Sequence, residues 1–184
     1  LYALKGLHDL KTTYSSIKAL DTNYKEILDR FMQGNEWDCI IPLPSSSKLT
    51  VLLAKSIQKH TKLGVCYTHA LRKITAQSAI DNLSELQISS RDKSALRDSI
   101  KRFIRQHGED TEFQMKYIKE VGLRKYINPM MWGHLPAGTT PPNKILLVDD
   151  MVTSGASLLS ALDVIQHRYP HSNVQALTLF GSSR

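Results

Sequence analysis

Two adjacent carboxylates, Asp149 and Asp150, stand just before a run of small and hydroxyl side chains. Met151 and Val152 separate them from Thr153, Ser154, Gly155, Ala156 and Ser157. Carboxylates accept hydrogen bonds from sugar hydroxyls. A turn of small residues opening a helix offers phosphate its backbone N–H groups and the positive end of the helix dipole. A molecule carrying a phosphate on a ribose would meet both halves. The alternative is an ordinary strand–turn–helix connection with a polar turn. A Walker A loop is excluded, because no Gly-Lys-Ser/Thr follows a four-residue spacer.

Elements that position these residues are legible on either side. Ile145-Leu-Leu-Val148 reads as a buried strand ending at the acidic pair, and Leu158 to Ile165 has helical spacing, predicting a helix over 157–168. Asn173 to Phe180 reads as a last strand. Upstream, residues 21–33 predict a helix, capped by Asp21 or Thr22, with Tyr24, Ile27, Leu28 and Phe31 as its stripe and Gly34 as its stop. Trp37 to Ile41 reads as a strand running into Pro42-Leu-Pro-Ser-Ser-Ser47. Beyond Lys48, Leu49, Leu52, Leu53 and Ile57 predict a shared helical face ending near Lys62. Gly64 to His69 reads as the next strand. Strand, loop, helix and strand at these lengths make a βαβ unit and imply a parallel sheet. In an open parallel sheet, ligands bind beyond strand C-termini. Both the 42–48 and the 149–157 loops fall there.

Between these halves the pattern changes. Residues 71–82 are polar and poorly periodic. Asn82-Leu-Ser-Glu85 is spaced like a capping box with Asn82 as the cap. Leu96, Ile100, Phe103 and Ile104 predict one apolar helix face, with Arg97, Lys101, Arg102 and Arg105 elsewhere. A further amphipathic piece is expected at about 111–121, then a loop from Pro129 to Pro142. The fold class expected is α/β, a mainly parallel sheet flanked by helices, with a helical insertion at about 92–140. The whole chain, 1–184, is expected to form one domain.

Bulk composition narrows the partners. The chain has 184 residues, 41% of them apolar, and a net charge of +7. Residues 91–128 contain ten Lys/Arg against six Asp/Glu, four charges of that excess. Such a balance favours anionic ligands. Nucleic acid is one class, although the basic residues do not alternate with aromatics as a stacking platform would. No apolar run approaches a membrane span, and no signal-peptide pattern opens the sequence, so no membrane partner is expected. Cys39 and Cys66 both lie in strand-like runs. Two buried free thiols fit a cytoplasmic protein, and two cysteines alone cannot make a zinc set. A homodimer is left open.

The run Lys144-Ile-Leu-Leu-Val-Asp-Asp-Met-Val-Thr-Ser-Gly-Ala-Ser157 resembles the phosphoribosyl-pyrophosphate motif of the type I phosphoribosyltransferases. The resemblance implies that Asp149 and Asp150 bind the ribose 2′- and 3′-hydroxyls. It implies that residues Met151, Val152, Thr153, Ser154, Gly155, Ala156 and Ser157 line or hold the 5′-phosphate. It also implies that Pro44, Ser45, Ser46, Ser47 and Lys48 form the pyrophosphate loop; a Pro-rich turn with a serine cap is the plainer reading of that segment. Arg72, Lys73, Thr75 and Gln77 are similar to the family's mobile loop, nearest to the ComF-like members, and would place Arg72 and Lys73 over the leaving group. The chain lacks the cysteine-rich zinc module and the Arg-Gly-Phe-Asn-Gln stretch of those members. The resemblance does not reach residues 1–20 or most of 92–140.

The implied activity is phosphoribosyl transfer from phosphoribosyl pyrophosphate (PRPP) to a nitrogen acceptor, with Mg²⁺ as cofactor. Mg²⁺ would be held mainly by phosphate oxygens, with no residue assigned as its direct ligand. The alternatives are a PRPP- or nucleotide-sensing regulator without turnover, and a ComF-like accessory protein acting with DNA. Purine-salvage members carry an aspartate where this chain has Thr153, so a 6-oxopurine acceptor is not expected. Trp132 is a candidate to stack on the acceptor or to cover core. His134 is read as a lone surface histidine, or else as a proton acceptor.

Overall fold

The computed structural model describes residues 3–4, 9–45, 47–152 and 154–181. The chain divides into two compact units. One comprises Leu1–Leu71 and Trp132–Arg184, the other Arg72–Met131.

The first unit is an α/β layer structure. Its elements are α1 (Tyr14–Met32), β1 (Cys39–Pro42), α2 (Leu49–Thr61) and β2 (Val65–Cys66), then β5 (Lys144–Val152), α5 (Ala156–Arg168) and β6 (Asn173–Gly181). The strands form one sheet in the order β2-β1-β5-β6. Every pair is parallel, with Cys39 opposite Val65 and Ile145, and Lys144 opposite Asn173. The parallel βαβ pattern expected from the sequence is therefore present. The register at the strand starts is held by Asp38, whose carboxylate accepts the Asn143 and Lys144 N–H groups at 2.9 and 3.2 Å.

Alternation along β1 and β5 explains the core. Ile40, Leu146 and Val148 join Tyr24 and Leu28 of α1 and Leu53, Ala54 and Ile57 of α2 in one buried cluster. Cys39, Ile41, Ile145 and Leu147 are equally buried and point to the opposite face. Four consecutive buried residues in β5 are what a strand covered on both sides requires. The β1–α2–β2 and β5–α5–β6 crossovers run in opposite directions along the sheet. Right-handed crossovers of that kind put α2 and α5 on opposite faces.

Several boundaries differ from expectation for physical reasons. Helix α1 starts seven residues earlier than predicted, capped by Thr13, whose hydroxyl accepts the Ser16 N–H at 3.2 Å. Its first two turns bury little, so hydrophobic periodicity could not mark them. Ile27 and Leu52, read as core, are 57% and 61% exposed. Each helix packs through a stripe narrower than the apolar pattern suggests. Strand β2 has two residues rather than six, because Tyr67 to Ala70 turn away.

The second unit is mainly helical. The chain passes between the units within β3 (Leu71–Lys73) and β4 (Met130–Trp132), which pair as a two-stranded sheet. Strand β4 occupies part of the expected 129–142 loop. The segment read as irregular contains α3 (Ala76–Asp81), capped by Thr75, whose hydroxyl accepts the Ser78 N–H at 3.1 Å. The expected Asn82 capping box is a short 3-10 turn over Asn82–Ser84. Helix α4 (Ser90–His107) is capped instead by Ser89, which accepts the Asp92 N–H at 3.1 Å. Its predicted face is confirmed: Leu96, Ile100 and Phe103 are buried against Ile74, Leu83, Phe113, Ile118 and Ile127. The amphipathic piece expected at 111–121 holds only the short 3-10 helix Met115–Tyr117, and a second, Val121–Tyr126, begins where it was expected to end.

Candidate functional site

The C-terminal ends of β1 and β5 lie side by side, and their following helices depart in opposite directions. This is the switch point of an open parallel sheet, where two loops separate and leave a crevice. The β1–α2 loop holds Pro44, Ser45, Ser47 and Lys48. The β5–α5 connection holds Ser154, Gly155 and the helix start. The sheet therefore brings these two predicted groups to one edge of one unit. Ser46 and Thr153 lie outside the described residues.

The acidic pair is placed differently from the expectation that the strand stops before it. Strand β5 continues through both carboxylates to Val152, paired with β6 at Asp149 opposite Thr178 and Met151 opposite Phe180. Successive strand residues face opposite sides, so Asp149 shares a face with Leu147, and Asp150 with Val148. The Asp149 carboxylate accepts the Asp150 N–H at 2.8 Å. Asp150 is 5% exposed, whereas Asp149 is half-buried. Thr178 is a neighbour of Asp149 that the sequence did not single out. Only the register identifies it, since it lies on a different strand.

Beyond β5 the chain turns sharply at Gly155, whose φ of 74° and ψ of −1° lie in the left-handed region. Glycine adopts this conformation without penalty. Ser154 Oγ accepts the Ala156 N–H at 3.4 Å. The helix N-cap is glycine, and the first turn of α5 carries no acidic side chain. The positive end of the helix dipole is thus left without a carboxylate of its own. Asp149, Met151, Val152, Ser154, Gly155, Ala156, Ser157 and Leu158 line an open cavity of about 30 Å³ at this point. Leu158 is an addition to the predicted set.

In the β1–α2 loop, the Leu43 N–H donates to the Val148 carbonyl at 2.8 Å and fastens the loop to β5. Ser45 Oγ accepts the Ser47 N–H at 3.3 Å, and Ser47 Oγ accepts the Leu49 N–H at 3.4 Å. Ser47 thus contacts the first residue of α2, although the N-cap itself is Lys48, without a side-chain capping bond, rather than the expected serine. Lys48 is exposed at the N-cap of α2.

Arg72 and Lys73 belong to the second unit. Arg72 is exposed on β3, and the Lys73 ammonium is 3.4 Å from the Glu112 carboxylate. Trp132 packs edge-on against Tyr169, with ring centroids 5.4 Å apart. His134 is not alone: its ring lies parallel to that of His69, centroids 5.7 Å apart. A close backbone approach allows this, since a Cβ at Gly133 would come within 2.1 Å of the His69 carbonyl oxygen.

A larger cavity, about 110 Å³, opens at the N-terminal edge of the sheet between Gly34, Glu36, Lys144 and Gln175. Several of its polar groups engage one another, while the buried Gln175 Oε1 has no partner among the described residues. Lys144 Nζ is 2.9 Å from Glu36, and Gln175 donates to Asn35 at 2.6 Å. The C-terminal edge remains the better candidate. Among the described residues no three His, Cys, Asp or Glu side chains gather as a metal site, and no helix is long and apolar enough to cross a membrane. Cys39 is buried and Cys66 half-buried, both free. Comparison with protein-family models, curated proteins and solved structures found no match to this chain.

Proposed function

We propose that this protein binds PRPP at the C-terminal edge of its parallel sheet and transfers the phosphoribosyl group to a nitrogen acceptor. The observation that carries the reading is the joining, at one switch point, of the β1–α2 loop to an acidic strand end and a glycine-turned helix start. A phosphate monoester on a pentose needs such neighbours: N–H groups for the phosphate and carboxylates for the sugar hydroxyls.

The roles follow from chemistry. Ser154, Ser157 and the α5 N-terminus hold the 5′-phosphate. Asp149 and Asp150 accept from the ribose hydroxyls and favour positive charge as the C1–oxygen bond breaks. The acceptor nitrogen forms the new bond to C1, and diphosphate departs toward Ser45, Ser47 and Lys48. Their donors stabilise the charge that develops on it. Bound Mg²⁺ would supply charge neutralisation on the diphosphate. The donors present fit it, because this ion is commonly held by substrate phosphates and one or two carboxylates. The proposal rests on residues of the first unit alone.

Titration calorimetry with PRPP, with and without Mg²⁺, tests binding. Heat is expected at micromolar to millimolar PRPP, with tighter binding when Mg²⁺ is present. No heat under either condition overturns the reading. Pyrophosphate release across a panel of nitrogenous bases then separates a transferase from a sensor that binds without turnover.

A further inference from the structure

We infer that helix α4 is a docking surface for the phosphate backbone of duplex nucleic acid, read without regard to sequence. The inference is independent of the PRPP reading and concerns the second unit only.

Helix α4 contains six Lys/Arg and two Asp. At 100° per residue, Arg91, Arg97, Lys101, Arg102 and Arg105 fall within an arc of about 140°, and they extend over about 21 Å of helix. Ser90, Ser94 and Asp98 are the other residues of the helix on that arc. Arg91, Arg97, Lys101 and Arg105 are exposed, and Arg102 is half-buried. The opposite face, Leu96, Ser99, Ile100 and Phe103, is buried. The core thus fixes which way the arc points. Among the described residues, none of these five cations has an ion pair. Of the unit's other cations, Lys73 meets Glu112, Lys116 and Lys125 lie over the rings of Tyr117 and Tyr126, and Lys93 and Arg124 donate to backbone carbonyls; what sets the five apart is their alignment on one helix face.

What the arc lacks selects the occupant. None of the exposed large apolar residues lies on α4. Insertion into a lipid surface needs an apolar flank beside the basic one, and protein interfaces combine arginine anchors with Trp or Tyr, neither of which α4 contains. Stacking on unpaired bases also needs exposed rings. A rod of regularly spaced phosphates asks only for a row of cations.

The test uses the full chain and a labelled duplex DNA of mixed sequence, followed by fluorescence anisotropy. Binding in the micromolar range is expected at about 50 mM salt. With about four phosphates neutralised, it should weaken roughly a hundredfold by 200 mM. A scrambled duplex should bind equally. R97Q/K101Q/R105Q, folded by circular dichroism, should lose at least tenfold. K18Q/K59Q/R168Q removes the same charge from the first unit and should change affinity less than twofold. Absence of binding at low salt overturns the inference. Equal losses in the two variants would mean only net charge, and also overturn it. So would tighter binding to vesicles containing phosphatidylserine, or to single strands, than to duplex. PRPP titration of R97Q/K101Q/R105Q should match that of the unaltered protein, which keeps the two sites' outcomes separate.

Discussion

At the residue scale, the acidic pair lies within β5 rather than beyond its end, so its two carboxylates face opposite sides of the sheet. Asp149 is half-buried and bonds the next N–H, while Asp150 lies almost out of solvent on the other sheet face. Asp149→Asn keeps an oxygen for the Asp150 N–H and removes the charge. Losing a hydrogen bond to a charged group costs about 1.5–3 kcal/mol, so PRPP affinity should fall tenfold or more by calorimetry, with an unchanged melting temperature. Unchanged affinity would show that Asp149 does not meet the ribose. The thiols give a separate residue-scale prediction. Burial, aided by the charges of Asp38 and Cys66, pushes Cys39 from 9.0 to about 12. Burial also raises Tyr24, with Asp21 adding to it. Both groups hold their proton more tightly when folded. For Cys39 the contribution is complete below about pH 9 and is lost as pH rises toward 12. Melting temperature should therefore decline from pH 9 to 11, and less steeply in Cys39→Ala. A Cys39→Ala profile parallel to that of the unaltered protein would remove Cys39 from the cause.

Among elements, the helix starts carry the sharpest tests. Gly155 has open space around its absent Cβ, so Gly155→Ala meets no clash. Its cost is backbone strain at φ 74°, about 1–2 kcal/mol. Relaxing that strain would re-aim the first turn of α5. Stability should drop by about that amount in urea, and PRPP binding should weaken as well. Loss of stability with intact binding would detach the α5 turn from the phosphate. In the second unit, Ser89 caps α4 and Asn82 does not. Ser89→Ala should cost about 1 kcal/mol, and Asn82→Ala distinctly less. The reverse order would restore the capping box that the spacing suggested.

For the whole molecule, ligand linkage gives a prediction that needs no assumption about how the two units are arranged. A ligand at a hundred times its dissociation constant stabilises the state it binds by about 2.7 kcal/mol. For a chain of this size that is about 5–10 °C of melting temperature. PRPP with Mg²⁺ should raise the transition that reports the first unit, and chelation of Mg²⁺ should reduce the rise. Because the second unit has its own buried cluster around Ile100 and Phe103, calorimetry should resolve whether the two clusters melt together. A rise confined to a transition abolished by Leu96→Ala would place PRPP in the wrong unit.

The sequence by itself determined the parallel βαβ halves, the buried run in β5, the apolar face of α4 and the loop between β1 and α2. These are local periodicities, set by whether a chain covers one face or two, and they survive without knowing what packs where. Tertiary structure decided what periodicity cannot encode. It extended β5 through Asp149 and Asp150, because pairing with β6 continues to Val152. It set Thr178 beside Asp149 and His69 beside His134, residues far apart in sequence that only register and ring packing bring together. It left Ile27 and Leu52 in solvent, since an apolar side chain is buried only where a neighbour reaches it. It also turned the cations of α4 outward as a group, because the buried cluster on the helix's other side fixed its rotation.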